Sequence, residues 1–296
     1  MRTSVLFGAA ALLSSLVSTD AAAFVDPKCA DYELPSDYNE QAQQDFLANY
    51  VALATSYSGI HGPIPHDPGH GSIGLDIGII PPLGCNRRIV LQGTKTEDTN
   101  KTPVVPRIRA SFAFPSIGRF VPYASVAYIP PIRFLGTTNV IVSGELGVGV
   151  PIGTVFQAGA RFHYSLGKTV GEVATPFVEG DPAFDDLYVG STFGLDGIIG
   201  FDVGDVVPYI AGGFTDASTF FYIGDDGVVS NNLHPYFGPT FAVGADALIK
   251  KRLRVGGEFY GAPGGYSKPL PDIESVSPAG RYGRIYTGRL RVAVEL

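Results

Sequence analysis

Tryptophan is missing from this sequence, methionine occurs once, cysteine twice, and charged residues fill only 17% of its 296 positions. Globular chains usually carry about a quarter charged residues. Two thiols are too few for a cysteine-based metal cluster. A net charge of -7 supplies no basic footprint, which excludes nucleic acid as a partner. Past the first twenty residues no apolar run approaches the roughly 18 residues of a membrane helix. No GxSxG, P-loop or Rossmann fingerprint follows a suitable strand, so no cofactor is expected.

What is abundant points elsewhere. Hydrophobic residues reach 45%, with 38 Gly, 23 Pro, 15 Tyr and 19 Phe. An apolar chain without a spanning helix is either a very large core or a barrel with an apolar outside. Residues 1–23 have a basic Arg2, an apolar stretch from Val5 to Val17 and small residues Ala21 to Ala23. That is the layout of a secretory signal peptide, with cleavage expected after Ala23. In an exported chain the pair Cys29 and Cys85 reads as one candidate disulfide.

Residues 24–70 form a region of their own. Asn39 to Ser56 carries the helix pattern, with Phe46, Tyr50, Val51 and Leu53 near one face, Asp37 as N-cap and Gly59 as stop. The stretch that follows, GIHGPIPHDPGHGS, is loop chemistry. This region would sit in the periplasm or plug a lumen.

From residue 71 to 296 the period is two. Ile108, Ala110, Phe112 and Phe114 alternate with Arg107, Arg109 and Ser111, and Leu290, Val292 and Val294 with Arg289, Arg291 and Glu295. About ten such segments recur, near 72–80, 105–114, 120–129, 138–149, 155–166, 187–202, 206–222, 235–249, 253–262 and 284–296. Each is at or above the 9–11 residues with which a tilted strand crosses a bilayer. Their connections alternate in length: 81–104, 167–186, 223–234 and 263–283 are long and 130–137 intermediate, while PSIGR, PIGT, VGD and KKR are short. Short periplasmic turns and long external loops mark outer-membrane barrels. The expected fold is an all-β, antiparallel up-and-down transmembrane barrel with a short N-terminal helical segment. A soluble sandwich or lipocalin-like barrel would need the apolar parity inside. Against it, Phe114, Tyr164, Phe201 and Tyr286 stand near strand ends in the apolar parity, where aromatic girdles belong.

These features together resemble the bacterial outer-membrane β-barrel proteins, at the level of architecture rather than of a subfamily. The resemblance implies residence in the Gram-negative outer membrane, contact with its lipid and lipopolysaccharide, and assembly through the C-terminal strand. That strand ends here on Leu296, where the group typically has Phe.

The polar parity would line the lumen with Asp76, Arg107, Arg109, Glu145, Arg161, Asp196, Asp246, Arg254, Glu258, Arg289, Arg291 and Glu295. A narrow, porin-like pore or transport protein for small solutes or lipophilic molecules is the expected function. A barrel that only contacts a partner or the envelope is the alternative. The triplet His163–Tyr164–Ser165 is similar to the His-x-Ser of outer-membrane lipid A deacylases, and implies a lipid-modifying enzyme as a further alternative. That motif continues here with Leu166 instead of Asn, and the pair reads equally as a lumen hydrogen bond near Arg161. His61, His66, Asp67 and His70 are metal-ligating types at a spacing that matches no closed site.

Overall fold

The computed structural model describes residues 50–83, 89–90, 95–97, 103–134, 137–171, 174–176, 185–223, 228–264 and 285–296. Among the described residues there are thirteen strands, the ten long ones with alternating side chains. In chain order they are β1 (Gly71–Ile79), β2 (Ile89–Val90), β3 (Lys95–Glu97), β4 (Val104–Ala113), β5 (Val121–Phe134), β6 (Thr137–Ile152) and β7 (Phe156–Gly171). There follow β8 (Ala174–Pro176), β9 (Asp186–Phe201), β10 (Val206–Ile223), β11 (Val228–Ile249), β12 (Leu253–Ala262) and β13 (Ile285–Glu295). Ten of them close an antiparallel barrel in the order β1-β13-β12-β11-β10-β9-β7-β6-β5-β4. Closure is made by β13 on β1, from Ser72↔Glu295 to Gly78↔Arg289. The Leu296 amide donates to Gly71 O at 2.8 Å, so the last residue is part of the wall. Closure removes free edges, which is what lets a sheet sit in lipid.

Parity decides which solvent each face meets. Leu195 is 62% exposed on the outside of β9, whereas Arg291 is 1% exposed on the inside of β13. Ile108, Leu146, Phe162, Phe193, Phe214, Val243 and Leu290 face outward in the same way. That orientation rules out the soluble alternative, because water would meet the apolar face and the core would hold the arginines. Among the described residues no helix is long and apolar enough to cross a membrane, so any crossing is made by strands.

Each expected segment falls on one barrel strand and overruns it by at most one residue at either end, and several strands run longer. β5 reaches Phe134 and β6 begins at Thr137, so the intermediate connection 130–137 shrinks to residues 135–136. β7 runs to Gly171, and β11 starts at Val228. Two of the long connections are structured: β2 and β3 pair with each other, and β3 pairs with β8, Lys95↔Pro176 to Glu97↔Ala174. Strands this short carry little periodicity, which is why the sequence pattern misses them.

Helix is described only at 50–54, and residues 39–49 lie outside the described residues. The helix stops before Gly59 because hydroxyls turn back onto its carbonyls. Thr55 Oγ1 donates to Val51 O at 2.8 Å and Ser56 Oγ to Leu53 O at 2.7 Å.

At the short-turn end, the β11–β12 turn puts Lys250 (φ 51°) and Lys251 (φ 56°) in left-handed backbone, with Arg252 N bonded to Ile249 O. The two central residues of this turn both have positive φ, which suits Asn-Gly better than Lys-Lys. Lys250→Asn with Lys251→Gly is expected to raise stability by about 0.5–1 kcal/mol, read as a higher denaturant midpoint in detergent.

Candidate functional site: a plug clamped in the lumen

Residues 50–70 thread the barrel from the long-connection end to the short-turn end. Tyr50 bonds the Pro81 carbonyl just past the top of β1. His66 lies at the other end, its Nδ1 2.9 Å from Glu295 and its Nε2 2.6 Å from Ser111. There Gly69 N donates to Ala113 O and Ala113 N to His70 O, both at 2.9 Å, which ties the segment to β4 before it becomes β1. Between these points Leu53, Tyr57 and His61 have essentially no exposure. The lumen is occupied by the chain's own segment 50–66, which is buried along most of its length.

The fit has two layers. Near the long connections, Tyr50, Leu53 and Ala54 are buried in one cluster with Tyr236, Tyr260 and Ile285 of the wall. Toward the short turns the wall becomes charged, and three arginines reach the plug's main chain. Arg107 donates to the carbonyls of Ser56 (3.1 Å) and Thr55. Arg109 donates to those of Ser58 and Gly59, and its guanidinium lies 4.5 Å from the centroid of the Tyr57 ring. Arg289 reaches Leu53 O at 3.3 Å and Ser56 Oγ at 3.0 Å, and stacks 3.8 Å over Tyr260. The last carbonyls of a helical turn lack partners of their own and carry its negative end, so guanidinium groups are apt caps.

Carboxylates anchor the plug's side chains. Glu145, fully buried, receives His61 Nε2 at 2.7 Å and Ser125 Oγ at 2.6 Å, with Arg161 3.9 Å away. Glu258 accepts from Ser58 and from Tyr209 Oη at 2.9 Å. Tyr57 Oη shares a hydrogen bond of 2.8 Å with Ser125. Burial holds the His66 imidazole below its ordinary pKa, with Arg254 and Arg291 acting in the same direction and Glu295 opposing them.

The remaining lumen charges pair within the wall. Arg109 meets Asp76 at 2.6 Å, Arg161 meets Asp196 at 2.9 Å, and Arg254 bridges Asp246 (2.5 Å) and Glu295 (3.0 Å). Arg291 donates to Ser72 at 2.9 Å and Ser111 at 3.3 Å.

Other sequence candidates come apart. Ser165 shares a hydrogen bond with Ser143 at 2.7 Å and donates to Thr55 O at 3.2 Å. His163 Nε2 instead faces Asp196 at 3.4 Å, so base and hydroxyl do not meet. Asp196 as His163's partner escapes sequence reading, because the two are diagonal neighbours only once Arg161↔Asp196 sets the register. His61 and His66 serve two different carboxylates, while Asp67 and His70 are exposed at the short-turn mouth. Among the described residues no group of three His, Cys, Asp or Glu side chains could hold a metal ion. Cys29, Cys85 and the signal segment lie outside the described residues.

Glycine in the inward parity makes room for the plug. Pro63 lies against Gly149, Gly159 and Gly200, on three successive strands of the wall. A Cβ on Gly200 would come 2.6 Å from Pro63 Cδ, and one on Gly149 would collide with the Pro63 carbonyl oxygen. Gly149→Val is therefore expected to unseat the plug and leave the wall folded. Limited proteolysis should then cut between residues 55 and 66, while the barrel keeps its heat-modifiable migration on gels.

A closed ten-stranded barrel with an apolar exterior and a self-occluded lumen defines a plugged transmembrane β-barrel. No family model matches the sequence, and no curated protein matches it. Among solved structures, the translocator domain of the autotransporter NalP from Neisseria meningitidis is similar at TM-score 0.47 and 10% identity, over 85% of this chain and 93% of that one. The toluene transporter TodX from Pseudomonas putida is similar at TM-score 0.36 and 11% identity, over 82% and 73%. The attachment invasion locus protein Ail of Yersinia pestis follows at TM-score 0.29 and 9% identity, over 78% and 100%. The likeness is to outer-membrane β-barrels as an architecture, without a subfamily.

Proposed function

We propose that this chain is a gated transport barrel of the bacterial outer membrane, carrying small solutes or lipophilic molecules when its plug moves. The observation that carries the reading is the manner of attachment. Among the described residues the plug's backbone-to-backbone bonds with the wall are confined to Gly69 and His70, and between Leu53 and Gly59 the plug is held by side chains of Arg107, Arg109 and Arg289 on main-chain carbonyls. Such contacts can be released without opening the sheet. Ile60 adds to this: a buried, β-branched residue at φ 50°, it sits in a conformation that costs about 1–3 kcal/mol. The docked plug is thus strained as well as clamped.

In this reading the signal segment at residues 1–23 exports the chain, the apolar exterior meets outer-membrane lipid and lipopolysaccharide, and β13 is the strand offered to the assembly machinery. The lumen charges serve as docking groups for the plug before they serve any passing solute. Conductance across planar bilayers tests the reading: the intact barrel is expected to be silent, and a barrel with its clamp cut is expected to show unitary steps. A folded, clamp-cut barrel that stays silent would overturn it.

A further inference from the structure

β4 and β5 are neighbours in the barrel, yet their ladder is short. It runs from Ala113↔Tyr123 to Ile108↔Tyr128 and stops there. β4 continues upward through Val104–Arg107, fully paired with β1 on its other side from Asp76↔Arg107 to Ile79↔Val104. β5 likewise continues to Phe134, paired on its far side with β6 across an irregularity between Ile129 and Ile132. No other barrel seam among the described residues leaves both strands running on unpaired for such a length.

The cause is in the sequence. Pro106 stands in the β4 part of the gap, and Pro130 and Pro131 in the β5 part. Continuing the register would set Pro106 against Pro130 and Val105 against Pro131. Proline has no N–H to give a ladder, so zipping is denied from both sides. Burial shows the same break. Pro131, Ile132 and Arg133 are consecutive and all exposed, where a paired strand would alternate.

Height matters too. Six rungs are fewer than the 9–11 residues with which a tilted strand crosses the hydrocarbon region. Counted up from Phe114, whose amide bonds Pro122 O at 2.8 Å, that length reaches residues 104–106 of β4, which puts the gap at the upper edge of the lipid band, where unpaired backbone is costly. Directly behind it, Val105, Ile129 and Ile141 bury one another together with Ile80. Ile80 also packs against the larger cluster that contains Tyr50 and Leu53 of the plug. An apolar path thus leads from the seam to the very segment whose displacement would vacate the upper lumen.

We propose that the β4/β5 seam is a lateral port, through which uncharged lipophilic small molecules pass between the upper lumen and the surrounding lipid. The proposal rests on the transport reading above, and names both its substrate class and its exit. Two readouts test it. In vesicles containing the photoreactive hydrocarbon adamantyl diazirine, label is expected on the inward residues Val105 and Ile129 of the wild-type barrel. In cells, uptake of the uncharged dye N-phenylnaphthylamine is expected to exceed that of cells lacking the barrel. Pro106→Val with Pro130→Val and Pro131→Val restores the missing donors. It should abolish both signals and leave clamp-cut conductance unchanged.

Absence of label from Val105 and Ile129 in the wild type overturns the port, even if the triple variant fails to fold. So does a folded triple variant with unchanged uptake. Dye uptake no faster than in barrel-free cells, with the clamp intact or cut, sinks the transport reading and the port with it.

Discussion

Arg109→Ala combined with Arg289→Ala is expected to convert a silent barrel into a conducting one. The two guanidinium groups donate to Ser58 O, Gly59 O, Leu53 O and Ser56 Oγ, on both sides of Tyr57. Hydrogen bonds from a charged donor contribute about 1.5–3 kcal/mol each, and the loss is greater where a buried acceptor is left bare. A loss of about 5.5 kcal/mol moves an equilibrium from 1:99 to 99:1. The severed contacts together are of that size, so the double variant is expected to shift the equilibrium toward the open state. Arg252→Ala, in the exposed β11–β12 turn, should leave the barrel closed. Arg109→Lys should be intermediate, since an ammonium keeps the charge but not the fork that spans two adjacent carbonyls. Heat-modifiable migration must be retained, because Arg109 also pairs with Asp76. A folded double variant without unitary steps would show that the plug is a fixed part of the wall.

The wall itself was legible residue by residue, since a period of two assigns each side chain to lipid or lumen without knowledge of the neighbours. Arg291 at 1% and Leu290 at 52% exposure show how sharply parity sorts adjacent positions. The plug's seat was not legible, for two physical reasons. Its acceptors are carbonyls, which every residue has, so nothing in the residues Thr55 to Gly59 announces that arginines will land there. Its room is made by Gly149, Gly159 and Gly200, which read along the chain as mere spacers between polar residues and acquire meaning only when Pro63 lies against all three. Pro106, Pro130 and Pro131 are an intermediate case. Each is visible, but the gap they cause appears only when the register sets them face to face.

The second large effect is expected at Glu145. Its carboxylate joins plug and wall at the middle of the lumen, accepting from His61 of the plug and Ser125 of β5, with Arg161 of β7 beside it. Glu145→Leu removes the acceptor but leaves the donors buried. Arg161 retains Asp196 at 2.9 Å, whereas His61 retains only Gly62 O through its other nitrogen. Breaking a buried pair from one side costs about 3–5 kcal/mol, so the denaturant midpoint should fall sharply and the gel-resistant form should melt at lower temperature. Glu145→Gln keeps shape and one acceptor, and should lose less. The decisive comparison adds His61→Ala. If the plug is docked through this contact, Glu145→Gln and His61→Ala will be non-additive by more than about 0.5 kcal/mol. Strict additivity would place His61 away from Glu145 in the folded barrel. With a coupling in hand, the docking strength at the middle of the lumen becomes measurable apart from the arginine clamp, and the two can be weighed as rival or cooperating locks on the same plug.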